Sequence, residues 1–227
     1  MHRLDSAILR GGGGLATPEG RPADGKVVVE LTSFREGAAL DLAMSGGAVE
    51  IRSSDFAAPT RVRGVDPEGS RGNRVSLFVI GCVQYPTKPG FLGGLVVENV
   101  ADVVIQSSRM AGSLTAVRDW ETCMRFDANK VNSDSLEFTH TEAGKFGKAT
   151  VVKCDVYSSK FVAKAPAAKG VKDVLPVDRC WFKGVTDPKA LMEKVVADGS
   201  KDEANGAHVA FGKVNDRPLE LAGSVDR

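Results

Sequence analysis

The chain has 227 residues, of which 42% are apolar and 26% are charged, and its formal net charge is +1. Such a balance is ordinary for a globular protein and creates no strong field for nucleic acid or an anionic membrane. No apolar run approaches the roughly 18 residues that a membrane-spanning helix requires. We therefore expect neither nucleic acid nor a membrane as a partner.

Residues 1–24 are predicted to form an N-terminal segment or a partial first coil. The opening MHRLDSAILRGGGG contains only a short apolar stretch, below the roughly 7–15 apolar residues of a secretory signal, so no signal peptide is identified in the chain. This end lacks an obvious cap. Two interpretations stay open: the chain is a piece of a longer protein, or this end is buried against a partner.

From residue 25 onward one pattern recurs along the chain. Apolar and polar residues alternate, a small polar residue or a cysteine follows, and a large apolar residue comes two positions later. The clearest copies are VEIRSSDF at 49–56, VVIQSSRM at 103–110 and CDVYSSKF at 154–161. Aligning the copies on the small polar residue or thiol gives seven anchors, 21 to 30 residues apart: Thr32, Ser54, Cys82, Ser108, Asn129, Ser159 and Cys180.

Equivalent positions in the seven copies share one character. The residues three and five positions before each anchor are apolar, and the residue two positions before it is mostly polar, which is typical of a strand with one buried face. The residue just before the anchor is mostly small, which suits a sharp bend. Two positions after the anchor the residue is apolar, with Gln84 as the clear exception. Strand-rich repeats of this length predict a parallel β-solenoid over residues 25–186.

Residues 187–227 are predicted to form a C-terminal cap and tail. Asp187 is the expected N-cap of a short helix, Pro188 its first residue and Gly199 its end. The stretch AHVAFGKV at 207–214 is assigned to the same cap. A solenoid needs such a cover because its last coil would otherwise expose an apolar interior and open strand edges.

The anchors, the alternating strands and the inward apolar residues resemble the right-handed parallel β-helix of the pectin-lyase-like superfamily. The resemblance covers roughly residues 25–185. It implies an all-β fold of about seven coils with three parallel sheets, in which the anchors form a ladder at one corner. It also implies a carbohydrate-related protein, secreted or in the cell envelope, related to polysaccharide lyases or glycoside hydrolases that act on or bind an acidic polysaccharide.

No enzyme signature accompanies this resemblance, so catalysis itself stays open. The R-x-P-x-x-R motif of lyases with this fold is absent, and so are the clustered aspartates of polygalacturonase-like hydrolases. The alternative is a non-catalytic structural, adhesive or oligomerising solenoid.

In enzymes of this fold the substrate lies along the sheet that precedes the ladder strand. The corresponding strands are expected in ALDLAMS, TRVRGV, LVVENV, LTAVRDW, LEFTHT and near KGVKDV. Polar residues of these stretches are the candidate site: Arg118, Glu137, Glu98 and His140 as catalytic groups, and Arg63, Arg61, Asp41 and Asp119 as substrate-binding groups.

Each candidate has a chemical reason. A lyase needs a base such as Arg118, with a second cation such as Arg63 to stabilise the developing charge. A hydrolase needs two carboxylates, for which Glu98 and Glu137 are the first pair. Asp127 and Asp155 form a second expected pair, on neighbouring coils of another face. The competing interpretation is that all these charges are solvated and keep a long sheet soluble.

Metal and cofactor chemistry has little support in the sequence. None of the four cysteines belongs to a C-x-x-C pair, so no zinc site is predicted, and free packed thiols are favoured over disulfides. Calcium is the one cofactor left open, through the oxygen-rich stretch ADGSKDEANG at 197–206, for which an exposed loop is the alternative.

One apolar group falls at nominally outward positions of the third and fourth coils: Phe78, Ile80, Val83 and Val104. An exposed apolar patch marks a partner surface, here a homo-oligomer contact. Alternatively, the loop YPTKPGFLGG at 85–94 covers these residues.

Overall fold

The structure is a computed structural model, and it describes residues 2–5, 8–9, 15–17, 23–35, 38–65, 74–85, 94–166, 173–185, 187, 189–191 and 207–219. Within these ranges the chain is an all-β parallel solenoid of about six turns, close to the seven coils predicted. Each turn contributes strands to three faces, which we number in the order that the chain visits them. The predicted fold class is therefore confirmed.

The first face is a nine-stranded parallel sheet in which every strand pairs with the equivalent strand of the next coil. From Lys26–Glu30 to Asp173–Asp178, inward residues are apolar except for Asp173, and polar residues are concentrated on the outward side, as the period-two pattern predicts. The strands are His2–Asp5, Lys26–Glu30, Gly47–Arg52, Val75–Ile80, Asp102–Gln106, Cys123–Asp127, Ala149–Val152, Asp173–Asp178 and Ala207–Phe211.

The second and third faces belong to one continuous sheet of 13 strands, because two long strands run through both: Arg109–Arg118 and Lys130–Thr139. The other second-face strands are two residues long: Ile8–Leu9, Ser33–Phe34, Asp55–Phe56, Val83–Gln84, Asp155–Val156 and Trp181–Phe182. The other third-face strands are Leu15–Ala16, Leu40–Met44, Thr60–Gly64, Gly94–Glu98 and Lys160–Lys164. A 3-10 turn, Phe146–Lys148, follows the third face in one coil.

A left-handed residue makes the corner between the first and second faces in each coil. The φ angle lies between +45° and +63° at all of these positions: Leu31, Ser53, Gly81, Ser107, Ala128, Lys153 and Arg179. Only one of them is a glycine, so the corner is formed against the ordinary preference of L-residues. The position expected to hold a small residue is this bend, and it is small in four of the seven coils but is Leu31, Lys153 or Arg179 in the others.

The anchor after the bend points inward and bonds along the stack. The backbone N–H of Thr32 donates to Ser54 Oγ at 3.2 Å, and that of Cys82 donates to Ser108 Oγ at 3.1 Å. The N–H of Ser108 in turn donates to Asn129 Oδ1 at 2.9 Å. The predicted corner ladder therefore joins the first anchor to the second and the third to the fifth, and each of these hydrogen bonds satisfies a buried donor.

The sixth anchor was predicted wrongly as Ser159; it is Cys154. Its backbone N–H donates to Cys180 Sγ at 3.3 Å, and the strand that precedes it is Ala149–Val152. Ser159 is exposed and lies beyond the second face. The error arose because alternation continues after the corner, so the residues following Cys154 imitate a strand that leads to an anchor.

One third-face strand was also misplaced in the prediction. The third-face strand that follows Lys130–Thr139 is Lys160–Lys164, which pairs with its end. Of the stretch near KGVKDV, residues 169–172 lie outside the described residues, and Asp173 begins a first-face strand. The five other predicted third-face stretches, from ALDLAMS to LEFTHT, coincide with observed strands.

Large side chains stack along the solenoid axis and form one core cluster. The rings of Phe34 and Phe56 are stacked with centroids 4.8 Å apart. The ring of Phe161 lies 5.9 Å from both Phe138 and Phe182. Contacts between successive coils therefore supply most of the packing, as expected for a solenoid.

Gln84, the exception in the inward column, is nevertheless inside. It is 5% exposed, and its Nε2 donates to the Ala58 carbonyl oxygen at 3.4 Å. It borders an interior cavity of about 10 Å³, close to the space of one water molecule, together with Phe56 and Thr60. The polar residue in this column therefore marks a local packing defect.

All four cysteines are free thiols, as the sequence favours. Burial raises the pKa of the Cys82 thiol to about 12 and raises that of Cys154 well above its usual value. A thiol that stays protonated is a poor nucleophile. Cys82, Cys154 and Cys180 therefore act as packed corner residues.

The C-terminal region begins with the predicted cap of a helix. The backbone N–H of Lys189 donates to Asp187 Oδ1 at 3.1 Å, and Leu191 is fully buried against the core. The rest of the expected helix and the oxygen-rich stretch 197–206 lie outside the described residues. Ala207–Phe211 adds a parallel strand to Asp173–Asp178, so this stretch extends the first face beyond the last coil.

Candidate functional site

The candidate residues stand on the outward side of the third face, in two columns that run along the solenoid axis. In one column Asp41 pairs with Arg61. In the next, Glu98 lies between Arg63 and Arg118 on the adjacent coils. Neighbouring strands of a sheet are about 4.8 Å apart, so long side chains reach from coil to coil.

Four of these residues form a continuous row that we call the charged strip: Arg61, Glu98, Arg118 and Glu137. Arg61 Nη2 donates to Glu98 Oε2 at 2.6 Å. Arg118 bridges two coils, because its Nη1 donates to Glu98 Oε1 and its Nη2 to Glu137 Oε2, both at 3.2 Å. Glu98 and Arg118 share the predicted mixed-charge column, whereas Glu137 lies in the neighbouring column, opposite Ala116. The three side chains are nevertheless joined in one hydrogen-bonded network.

The network shifts the pKa of one arginine and supplies hydrogen bonds to both carboxylates. The hydrogen bond to Glu98 raises the pKa of the Arg61 guanidinium, with burial acting in the opposite direction. Glu98 accepts from two arginines, and Glu137 accepts from Arg118 and from Ser135 Oγ at 3.0 Å. Both carboxylates are therefore occupied by hydrogen bonds within the network.

The arginines nevertheless keep donors to spare. A guanidinium has five N–H groups, and the side chains of Arg61 and Arg118 are 45% and 34% exposed. The carboxylates beneath them are less accessible, at 21% for Glu98 and 20% for Glu137. Solvent and any ligand therefore meet cations first on this face.

Two candidates at the start of the third face have unsatisfied polar atoms. Arg63 Nε and Asp41 Oδ1 are buried and have no hydrogen-bond partner among the described residues. Both residues are half-buried and lie beside the charged strip. The structure brings them next to the strip without joining them to its network.

His140 and Asp119 lie at the bend that follows the third face, away from the strip. Nε2 of His140 donates to the Trp120 carbonyl oxygen at 2.7 Å, and its Nδ1 accepts the backbone N–H of Glu142 at 2.8 Å. Oδ1 of Asp119 accepts both the N–H and the hydroxyl of Thr141 at 2.7 Å. These contacts hold the bend in place, and the imidazole is 8% exposed.

Sequence reasoning missed two members of the outward column because it misplaced the last strand. Arg118 aligns with Thr139, and Thr139 aligns with Lys164. Lys164 is exposed and adds a cation one coil beyond the end of the charged strip. The alternation in KFVAK was the signal that could have found it.

The second expected carboxylate pair was predicted wrongly. Asp127 is the last residue of a first-face strand, whereas Asp155 begins a second-face strand after the corner. They therefore lie on different faces. Asp155 accepts the backbone N–H of Leu219 at 2.8 Å, and Asp127 accepts from Arg125 at 2.6 Å.

Metal binding and membrane crossing find no support in the part of the chain that the structure describes. It contains no group of three or more His, Cys, Asp or Glu side chains placed to hold a metal ion. Nor does any helix within it have the length and apolarity needed to cross a membrane.

The fold and the strip define a parallel β-solenoid with a mixed-charge row along one face. No protein-family model, no curated protein and no solved structure matches the chain significantly. The class of the protein therefore rests on its architecture.

Proposed function

We propose that the protein binds an acidic polysaccharide along the charged strip of its third face. The observation that carries this proposal is the row of exposed cations on every second coil, Arg61, Arg118 and Lys164, above less exposed carboxylates. Together with the flanking residues, the face has five cations, Arg61, Arg63, Arg118, Lys160 and Lys164, against three carboxylates, Asp41, Glu98 and Glu137. A regular row of cations suits a polymer that repeats a carboxylate, because arginine recognises carboxylates through paired N–H donors.

Binding is better supported than cleavage. The two carboxylates of a hydrolase must differ in protonation, but Glu98 and Glu137 are both bonded to Arg118. A lyase base must be able to lose its proton, and Arg118 is engaged by two anions. A relation to the pectin-lyase-like superfamily, and a secreted or cell-envelope location where such polymers occur, belong to the same proposal.

The test is a calorimetric titration of the whole protein with polygalacturonate and, as a neutral reference, with an uncharged glucan. We expect binding of the acidic polymer alone, weakening as salt is added because exposed charges are screened. Arg118→Gln should reduce the affinity at least about fivefold, since it removes the bridging cation and leaves Glu137 without an arginine partner and Glu98 with Arg61 alone. The matched control is Arg35→Gln, which removes an exposed arginine paired with Asp55 elsewhere.

Three results decide the proposal. No binding of the acidic polymer, or equal binding of Arg118→Gln and Arg35→Gln, would remove it. Release of unsaturated product or of reducing ends during the titration would replace it with the lyase or hydrolase activity.

A second function, assembly through a side of the solenoid, is favoured by a different observation. Phe78, Ile80 and Val104 are half-buried on the outward side of the first face and do not belong to the core cluster. Val83 lies on the second face, around the corner from them. Residues 86–93 of the loop once expected to cover this group lie outside the described residues.

A further inference from the structure

The outward side of the first face has an apolar centre between two charged borders. In one column Phe78 pairs with Val104, and in the next Ile80 pairs with Gln106. The coil before this centre contributes Glu50. The coil after it contributes Arg125 in the same column. We call this surface, from Glu50 to Asp127, the first-face patch.

The charges at the two borders have opposite order along the strand. On the earlier coil an acid precedes a base: Glu50 is followed by Arg52, and the two are 3.0 Å apart. On the later coil a base precedes an acid: Arg125 is followed by Asp127, 2.6 Å away. The patch is therefore a two-by-two arrangement of alternating charge around an apolar centre.

Such an arrangement is complementary to itself. Two-fold symmetry places the same surface of two copies against each other. A two-fold axis along the strands places Glu50 opposite the second copy's Arg125, and Arg52 opposite its Asp127. An axis along the solenoid places Glu50 opposite Arg52, and Arg125 opposite Asp127. In both orientations every charge meets an opposite charge.

The side chains on the borders are suited to exchange partners. Arg52 and Arg125 are 48% and 56% exposed, whereas Glu50 and Asp127 are 15% and 7% exposed beneath them. A guanidinium can swing from the carboxylate of its own coil to that of a facing coil without leaving either unpaired. A copy with a different charge order would place like charges together, which costs binding free energy.

We propose that the first-face patch is the surface through which two copies of this chain form a two-fold dimer. The four strands of the patch, at about 4.8 Å per strand and about 3.3 Å per residue over five residues, present about 300 Å² per copy. The total of about 600 Å² is below the range of stable specific interfaces, so the dimer should be weak and concentration-dependent. It uses a different face from the charged strip and does not depend on the proposed polysaccharide binding.

The experiment is sedimentation velocity of the full chain over a wide range of concentration. We expect a reversible monomer–dimer equilibrium for the wild type. Phe78→Lys should weaken it at least tenfold, because a buried unpaired ammonium replaces an apolar contact. Glu50→Arg and Arg125→Glu should each weaken it at least tenfold, because both orientations then place like charges together. A melting curve for each variant checks that the monomer is still folded.

Charge-swap pairs then separate the interface from effects inside one chain. The double variant Glu50→Arg/Arg125→Glu restores complementarity for an axis along the strands, although both changes worsen the pairing within each chain. The double variant Glu50→Arg/Arg52→Glu restores it for an axis along the solenoid. One of the two should recover the wild-type dissociation constant to within about threefold, and the other should lose further affinity.

Three outcomes would overturn the proposal. The first is a wild type that stays monomeric at the highest concentration, which would also fit a patch covered within its own chain. The second is dimerisation that Phe78→Lys leaves unchanged. The third is the failure of both charge-swap pairs to recover any affinity.

Discussion

At the scale of single residues, buried polar atoms divide into those that the corner ladder satisfies and those that it does not. Thr32 is fully buried, and its hydroxyl donates to the Glu30 carbonyl oxygen at 2.8 Å. Thr115 is also fully buried, but its hydroxyl has no hydrogen-bond partner among the described residues. An unsatisfied buried hydroxyl costs about 1–3 kcal/mol.

We therefore predict opposite effects for one substitution at two sites. Thr115→Val keeps the shape of the side chain and removes the unpaired hydroxyl, so the free energy of unfolding should rise by about 1 kcal/mol. Thr32→Val removes an existing hydrogen bond and should lower the free energy of unfolding by about 1 kcal/mol. Urea unfolding followed by circular dichroism measures both. A destabilised Thr115→Val protein would mean that this hydroxyl has a partner after all.

Two aspartates have pKa values shifted in opposite directions. Burial raises the pKa of Asp155 above its ordinary value of 3.8, opposed by the Leu219 N–H and by Lys130. For Asp178 the backbone N–H of Lys213 lowers the pKa, helped by Arg179 and opposed by burial. The ionised carboxylate therefore costs stability at the first site and contributes it at the second.

Replacing each aspartate by asparagine should change the pH dependence of stability with opposite sign. A raised folded pKa means that the wild type loses stability as pH rises through that pKa. The free energy of unfolding of Asp155→Asn, relative to that of the wild type, should therefore increase between acidic and neutral pH. A lowered folded pKa has the reverse effect. The free energy of unfolding of Asp178→Asn should therefore be lower than that of the wild type above pH of about 4. Unfolding free energies at several pH values check both. Parallel curves for the two variants would contradict the assigned shifts.

At the scale of the structural element, the bend before each anchor is the most demanding position of the coil. Ala128 has a φ of +53° there, a conformation that costs an L-residue roughly 1–2 kcal/mol and a β-branched residue more. Glycine adopts it without a steric penalty. Ala128→Val should therefore lower the free energy of unfolding by at least about 1 kcal/mol, while Ala128→Gly should be neutral or stabilising.

Thermal melting of these two variants provides the measurement. The equivalent bend of another coil, which already contains glycine, provides a comparison. Gly81 already occupies the same bend two coils earlier, with a φ of +63°. Gly81→Val should lose at least as much stability as Ala128→Val, because glycine carries no steric penalty in this conformation. Equal stability of the alanine, glycine and valine proteins would show that the corner does not impose its conformation on this residue.

The elements also show where sequence reasoning succeeds and where it fails. The strands before the first five anchors were predictable because inward apolar residues repeat with period two and a small residue follows, as in the coil that ends at Ser54. The sixth coil was not, because Cys154 continues into DVYSS, which has the same alternation. Which of two alternating strands precedes the corner depends on pairing between coils, and that information is not local.

The candidate site was predictable to the same extent. Glu98, Arg118 and Glu137 were found because outward positions on successive third-face strands must form columns. The bonding of Arg118 to both carboxylates depends on side-chain rotamers. The position of His140 away from the strip depends on hydrogen bonds between its ring and backbone groups of Trp120 and Glu142. Neither the bonding of Arg118 nor the position of His140 has a sequence signature.

At the scale of the whole molecule, the solenoid separates its surfaces. Each coil contacts only its neighbours, so residues on different faces interact mainly through shared strands and corners. The charged strip lies on the third face and the first-face patch on the first, with the strand-end bend between them. Energetic coupling between distant sites without a shared partner is small.

We therefore predict that the two proposed surfaces act independently. Glu50→Arg, which should prevent dimerisation, should bind polygalacturonate with the wild-type affinity per chain within about twofold, and Arg118→Gln should dimerise with the wild-type dissociation constant. The two measurements are the titration and the sedimentation experiment described above, each run on the variant designed for the other. If Glu50→Arg instead lost its affinity for the polymer, polysaccharide binding would require both copies, and the strip on one chain would be only half of the site.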